Sequence, residues 1–135
     1  MNKDASKARC LLIVEDDKEV RNIFVEAFQA EGYYVLDAGN GEEAFDVMQR
    51  SLTRVDVILT DLRMPVMDGL EFAIKIRADR RYAGIPILLL SATPIRSSSE
   101  NLGVFSSVLL KPCPLTFLIS TVEAACAVGG NSGLN

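Results

Sequence analysis

The sequence predicts an α/β fold in which a five-stranded parallel sheet is covered by helices on both faces. Short runs that are mostly apolar, and wholly apolar at residues 11–14, alternate along the chain with amphipathic helical patterns. Wholly apolar strands are typical of parallel sheets buried between helices. Alternating strands and helices indicate βαβ units with right-handed crossovers. The chain has 135 residues, which is the length of one such domain.

The first half of the chain carries two strands and two helices. Residues 11–14 and 33–38 are the predicted strands. Between them, apolar residues recur at helical spacing, and Gly32 is expected to end that helix. Asn40 is the predicted N-cap of a second helix, with Glu43 at its third position. The residues that support these two helices are Val20, Ile23, Phe24, Ala27 and Phe28 in the first, and Ala44, Val47 and Met48 in the second.

The second half carries three further strands, predicted at residues 55–60, 85–90 and 108–110. Asp68 and Gly69 stand at the start of a third helix. The segment 93–105 is rich in serine and poorly periodic, so it has the weakest pattern for a helix. Apolar spacing predicts a last helix before the chain ends. The third helix is marked by Leu70, Ala73, Ile74 and Arg77, and the last by Leu115, Leu118, Ile119, Val122 and Cys126.

Composition narrows the function classes. The net charge is −4, which gives no electrostatic basis for direct nucleic-acid binding. Three widely spaced cysteines fit neither a metal site nor a secreted disulfide framework, and indicate buried thiols in a reducing compartment. No signal peptide or apolar stretch of membrane-spanning length is present, so we expect a cytoplasmic protein without membrane insertion. Residues 1–8 and 129–135 are expected to be mobile ends of a domain that spans residues 9–128.

Charged residues follow three of the predicted strands. Glu15, Asp16 and Asp17 follow the first strand, Asp61 follows the third, and Lys111 follows the fifth. Ligands of open parallel sheets bind beyond the carboxyl ends of the strands. We therefore expect these carboxylates and the ammonium group to converge on one pocket, although they are far apart in sequence.

The expected pocket suits a divalent cation and a phosphoryl group. Crowded carboxylates repel one another, and a cation with hard oxygen ligands, such as Mg²⁺, removes that repulsion. A carboxylate can also act as a nucleophile and form an aspartyl phosphate. The phosphoryl oxygens then need positive charge, which Mg²⁺ and Lys111 would supply, and a hydroxyl donor. Ser91 provides the hydroxyl at the end of the fourth strand, and the small Ala92 leaves room beside it.

Four segments in this order resemble the receiver domain of two-component response regulators. They are LLIVEDDKEVR, LTDLRMPVMDGLE, ILLLSAT and LLKP, and the similarity covers roughly residues 9–128. Each motif alone is weak, but four in register are highly specific. The resemblance implies a flavodoxin-like, doubly wound sheet with strand order 2-1-3-4-5. It also implies a cis peptide bond between Lys111 and Pro112.

The resemblance further implies a role for each site residue. Asp61 would accept a phosphoryl group from a sensor histidine kinase or a phosphotransfer protein. Asp16 would bind Mg²⁺ directly, Glu15 largely through water, and the backbone carbonyl of Arg63 would be a further ligand. Ser91 and Lys111 would contact the phosphoryl oxygens. The domain would then switch its binding to a downstream protein partner or output domain, with self-phosphorylation and self-dephosphorylation as its only chemistry.

Three features depart from the family pattern. The first acidic position holds Glu15 where aspartate is commoner. Val108 stands in the fifth strand where an aromatic residue is usual. The segment between Ser91 and Lys111 is short and rich in serine. The last two departures indicate an unusual switch, because a valine side chain is too short and too stiff to replace a swinging ring.

Three other functions are less consistent with the residues present. A degenerate receiver that binds partners without phosphorylation would not need intact Asp16, Asp61, Ser91 and Lys111. A haloacid-dehalogenase-like phosphatase requires a second aspartate two positions after the nucleophile. This chain has Arg63 there, which cannot act as an acid or base at neutral pH. A flavodoxin-like cofactor binder needs a donor-rich loop after the first strand, and the acidic triplet would repel a phosphate there.

Overall fold

A computed structural model describes residues 8–93 and 103–132, with residues 128–132 given by their backbone only. Within those residues, five strands and four helices follow one another along the chain. They are β1 (Cys10–Val14), α1 (Lys18–Ala30), β2 (Tyr34–Ala38), α2 (Gly41–Arg50), β3 (Val57–Asp61), α3 (Gly69–Ala78), β4 (Ile87–Ser91), β5 (Ser107–Leu110) and α4 (Leu115–Ser132). All strand pairs are parallel and the order is β2-β1-β3-β4-β5, which confirms the predicted fold class.

The sheet separates two apolar clusters, as the pleat of its strands dictates. In β1, Leu11 and Ile13 point to one face of the sheet, and Leu12 and Val14 to the other. The first face is covered by residues of α1 and α4, including Phe28, Leu118 and Val122. The second is covered by residues of α2 and α3, including Ala44, Phe72 and Ile76. Both faces of the central strands are therefore buried.

Local signals in the sequence place the helix ends where they were predicted. The Asn40 side chain accepts a hydrogen bond from the Glu43 amide (2.9 Å), so Asn40 is the N-cap of α2. Asp68 and Glu71 form a reciprocal capping box at the start of α3. Gly32 follows α1 with φ +97°, the left-handed conformation that glycine tolerates after a helix.

Some boundaries differ from the prediction. β4 begins at Ile87 rather than at residue 85, because Pro86 has no amide hydrogen and the Ile85 amide bonds the Tyr82 carbonyl (3.0 Å). β3 begins at Val57 and runs on to Asp61, which pairs with Leu90 of β4. The carboxyl end of β3 thus carries Asp61 within the sheet.

Parts of the predicted organisation lie outside the described residues. These are residues 94–102 of the Ser-rich segment and most of the predicted mobile ends, while α4 continues to Ser132. In the part of the chain that the structure describes, no helix combines the length and the hydropathy needed to cross a bilayer. The predicted cytoplasmic location stays a prediction.

Candidate functional site

The β1–α1 loop carries a buried carboxylate. Glu15 directly follows β1 and is 3% exposed. Its Oε2 accepts a hydrogen bond from the Asp17 amide (3.0 Å), but its Oε1 is buried without a hydrogen-bond partner. Burial raises the pKa of the Glu15 carboxyl group above its usual value, and the nearby charge of Asp61 adds to this effect. Glu15 therefore has an unsatisfied oxygen in a site that penalises its negative charge.

Asp61 and Lys111 lie close together at the carboxyl ends of the strands. The Lys111 ammonium lies 3.2 Å from Asp61 Oδ1 and 3.7 Å from Glu15 Oε1. The Leu62 amide donates to Asp61 Oδ1 (3.0 Å), which orients the carboxylate. The Lys111 amide donates to the Ser91 carbonyl (2.8 Å), which continues the β4–β5 pairing to the lysine. The peptide bond from Lys111 to Pro112 is cis, as the family resemblance implied.

Three carboxylates lie close enough to share one cation. One oxygen of each of Glu15, Asp16 and Asp61 lies within 4.8 Å of the others. Carboxylate oxygens are the ligands that Mg²⁺ prefers, and the unpartnered Glu15 Oε1 is an acceptor that a cation or its water would satisfy. The residues present therefore fit a magnesium ion. Asp16 is exposed, so the site opens to solvent on the side of this residue.

The two remaining predicted residues are Ser91 and Arg63. Ser91 is the last residue of β4 and is buried. Its hydroxyl donates to the Thr93 carbonyl (2.7 Å) and accepts from the Thr93 amide (3.2 Å), so its hydrogen bonds are made within its own turn. Arg63 is an exposed residue of the β3–α3 loop, two positions after Asp61. The structure brings together Glu15, Asp16, Asp61 and Lys111, with Ser91 on the adjoining strand.

The β3–α3 loop is fixed against the site by two glycines. A Cβ on Gly69 would overlap the carbonyl oxygen of Asp61, and the Gly69 amide donates to the Leu62 carbonyl (2.7 Å). The Gly41 amide donates to the Met67 carbonyl (3.0 Å), which ties the loop to the start of α2. Only a residue without a side chain permits the closeness at Gly69, so the loop after Asp61 depends on it.

Arg21 is a site neighbour that the sequence reasoning missed. Its Nη1 donates to the backbone carbonyl of Glu15 (2.7 Å), and its Nε lies 3.1 Å from Asp37 Oδ2. A basic residue near the N-terminus of a helix is unfavourable for the helix dipole. Lys18 at the start of α1 shares that mismatch, so the sequence alone does not single out Arg21.

Comparison with known proteins agrees with this geometry. The family model of the response regulator receiver domain matches residues 11–123. A chemotaxis protein CheY homolog of Campylobacter jejuni is 30% identical over 127 residues, which cover 91% of this chain and 96% of the relative. The transcriptional regulatory protein PdtaR of Mycobacterium tuberculosis is 34% identical over 125 residues, which cover 90% of this chain. The match spans 58% of PdtaR's own length.

A solved structure shares the fold. The response regulator TrrA of Thermotoga maritima, crystallised in complex with Mg²⁺ and BeF, aligns with a TM-score of 0.76 and 28% identity. The alignment covers 87% of this chain and 98% of TrrA. Three observations indicate the same family: the sheet order, the acidic cluster beside a lysine, and the family match over residues 11–123. The chain belongs to the response regulator receiver family.

Proposed function

We propose that the protein is a phosphorylation-dependent switch in which Asp61 is the phosphoacceptor. The main support for this proposal is the position of the Asp61 carboxylate. It lies 3.2 Å from the Lys111 ammonium, at the end of the sheet that also carries Glu15 and Asp16. A receiver domain takes part in phosphorelay signalling and is a switch rather than a classical enzyme. The choice of Asp61 as the phosphoacceptor is the part of the proposal that concerns this chain in particular.

The donor in this proposal is a phosphohistidine of a sensor kinase or of a phosphotransfer protein. An Asp61 oxygen attacks phosphorus, an O–P bond forms, and the N–P bond of the donor breaks with its electron pair left on the imidazole nitrogen. Lys111 stands where its ammonium would neutralise the transferred oxygens. Ser91 would donate its hydroxyl to another of those oxygens, once it releases Thr93.

Mg²⁺ is the proposed cofactor of this site. It would be held by Asp61, by Asp16 directly, by Glu15 largely through water and by the Arg63 carbonyl. When bound, the ion neutralises charge on the phosphoryl group. Crystallisation of TrrA with Mg²⁺ and BeF supports a phosphoryl-like group and Mg²⁺ sharing such a site in this family.

The wider assignments are part of the proposal. We take residues 9–128 as the receiver unit, which is supported by the family match over residues 11–123 and by β1 beginning at Cys10. The proposed chemistry is limited to self-phosphorylation and self-dephosphorylation. A downstream protein partner or an output domain would recognise the phosphorylated form.

The test is phosphorylation by a small donor. Intact-mass spectrometry after treatment with acetyl phosphate should show one phosphoryl group per chain, only when Mg²⁺ is present. Asp61→Asn should abolish this adduct. Asp46→Asn is the matched control, because Asp46 is an exposed carboxylate paired with Arg50 on α2. Undiminished labelling of Asp61→Asn would refute the assignment.

A further inference from the structure

Arg21 joins the β1–α1 loop, which carries two residues of the proposed cation site, to strand β2. Its side chain is 18% exposed, although it carries a full charge. Nη1 donates to the Glu15 carbonyl (2.7 Å) in the β1–α1 loop, and Nε pairs with Asp37 near the end of β2 (3.1 Å). One planar guanidinium thus spans two elements, which a single-point cation does less well.

The contact with Arg21 completes the restraint of Glu15. The Glu15 amide donates to the Ala38 carbonyl (3.0 Å), and its Oε2 accepts from the Asp17 amide. The carbonyl of the same residue is held by Arg21. With amide, carbonyl and one carboxylate oxygen all bonded, the remaining oxygen, Oε1, is left facing Lys111. A charge-assisted bond is roughly twice as strong as a neutral one, and the short bond from Arg21 is charge-assisted, so Arg21 is a strong restraint on the Glu15 backbone.

We propose that Arg21 is a positioning residue of the magnesium site. Its guanidinium fork holds the Glu15 backbone against Asp37 and thereby keeps the Glu15 and Asp16 carboxylates in the geometry that binds Mg²⁺. This inference rests on the proposed function. Residues that orient metal ligands without touching the metal typically change affinity by about 10–100-fold when they are removed.

The charge of Arg21 by itself predicts the opposite result. A positive group near a cation site repels the cation, so its removal by electrostatics alone would tighten Mg²⁺ binding. Weaker binding after removal therefore distinguishes a positioning role from a simple charge effect. Arg21→Lys adds a further distinction, because it keeps the charge and most of the stem but loses the fork.

The experiment is a Mg²⁺ titration of the whole chain, followed by backbone amide chemical shifts. The variants are Arg21→Met and Arg21→Lys. The control is Arg50→Met, because Arg50 also pairs with an aspartate but on the exposed face of α2 (2.8 Å to Asp46). A urea unfolding curve without Mg²⁺ is recorded for each variant, so that loss of fold is separated from loss of affinity.

We expect Arg21→Met to bind Mg²⁺ about tenfold more weakly, Arg21→Lys to fall between it and the wild type, and Arg50→Met to match the wild type. The amides of residues 15–17 should shift in Arg21→Met before Mg²⁺ is added. Unchanged or tighter binding by folded Arg21→Met would overturn the inference. If Arg21→Met does not fold, wild-type affinity in Arg21→Lys would overturn it instead. A wild-type chain without any saturable Mg²⁺ response would refute the proposed site itself.

Discussion

The Glu15 carboxyl group is held in the site under unfavourable conditions. It is buried, one oxygen lacks a hydrogen-bond partner, and Asp16 and Asp61 are close by. Burial of a charged group with incomplete hydrogen bonding opposes folding. The buried Glu15 carboxylate therefore lowers the stability of the folded chain when no cation is bound, and a bound cation would offset this penalty.

This burial makes stability depend on pH in a defined direction. The folded chain binds the Glu15 proton more tightly than the unfolded chain, because burial raises the pKa of this carboxyl group above its usual value. The contribution of Glu15 to the free energy of unfolding is most favourable at low pH. It is lost as the pH rises from the usual glutamate pKa through the raised pKa of the folded chain. Without Mg²⁺, Glu15→Gln should therefore be more stable than the wild type at neutral pH.

The measurement is urea unfolding across that pH range in the presence of a chelator. The profile of Glu15→Gln should be flatter than that of the wild type. Glu26→Gln, an exposed glutamate of α1, serves as the control and should follow the wild type. A Glu15→Gln protein that is less stable at neutral pH would show that ionised Glu15 is a net stabilising group.

The two acidic residues of the β1–α1 loop should differ in their contribution to metal binding. Asp16→Asn should weaken Mg²⁺ binding more than Glu15→Gln, because one Glu15 oxygen is already bonded to the Asp17 amide and Asp16 is the proposed direct ligand. Loss of a charged ligand should cost at least about 1 kcal/mol. Calorimetric titration measures both, and equal affinities in both variants and the wild type would place the metal elsewhere.

The charged residues of the site were predictable because each follows an apolar strand. In a parallel sheet those strand ends meet, so Asp61 and Lys111 had to be neighbours once the strand order was known. Arg21 was not predictable in this way. It acts on a backbone carbonyl and on Asp37, and such contacts leave no regular spacing in the sequence.

At the scale of elements, the β3–α3 loop contains a strained residue. Val66 has φ +70°, and the Met67 amide donates to the Pro65 carbonyl (2.7 Å), which forms a three-residue turn centred on Val66. Such turns are rare and strained, and a β-branched residue is unfavourable at positive φ. Val66 is also 73% exposed, so burial does not offset the strain.

Val66→Gly should therefore stabilise the protein by about 1 kcal/mol, since glycine adopts this conformation without steric penalty. Urea unfolding in the presence and absence of Mg²⁺ provides the measurement. Val66→Ala is the matched control and should gain less, because alanine keeps the Cβ that is disfavoured at positive φ. A destabilised Val66→Gly would mean that the exposed side chain stabilises the loop by a contact that outweighs its strain.

Under the proposed function, we expect a phosphoryl group to be sensed at the end of β4 and in β5. The Ser91 hydroxyl is bonded to both backbone groups of Thr93, and Val108 of β5 is 39% exposed. To reach a phosphoryl oxygen, Ser91 must release Thr93, at the start of the segment 93–107. Residues 94–102 of that segment lie outside the described residues. We expect the signal to pass through this backbone rather than through a ring in β5.

Hydrogen exchange with and without beryllium fluoride tests whether the signal passes through this backbone. Protection across 93–107 should rise when the phosphoryl mimic binds, and the rise should be lost in Ser91→Ala. Ser51→Ala is a suitable control, since Ser51 likewise bonds the backbone of the residue two positions on. If protection changed only on another surface, the proposed route would be wrong while Asp61 remained a candidate phosphoacceptor.

Element types followed from apolar periodicity, whereas boundaries depended on single residues. β4 was shortened by Pro86, which has no amide hydrogen to donate. In α3 the helix itself was predictable, but Phe72 and Ile76 are buried whereas Ile74, part of the predicted pattern, is 48% exposed. The helix is apolar on more than one side, so its sequence did not determine which side meets the sheet.

At the scale of the whole molecule, strand order explains why distant residues form one site. β3 lies at the centre, β1 beside it brings the acidic loop, and β5 brings Lys111 from the other side. The two apolar clusters on opposite faces hold this arrangement by burying both sides of β1, β3 and β4. The site is thus a product of the fold as a whole.

Locating the phosphoryl group on the chain tests directly whether Asp61 is the phosphoacceptor. An aspartyl phosphate is reduced by borohydride to homoserine, which tandem mass spectrometry assigns to a single position. After treatment with acetyl phosphate and Mg²⁺, we expect homoserine at position 61 and unmodified carboxylates at Asp16, Asp17 and Asp68. Homoserine at another position, or none in a chain that has gained a phosphoryl group, would contradict the assignment of Asp61 as the phosphoacceptor.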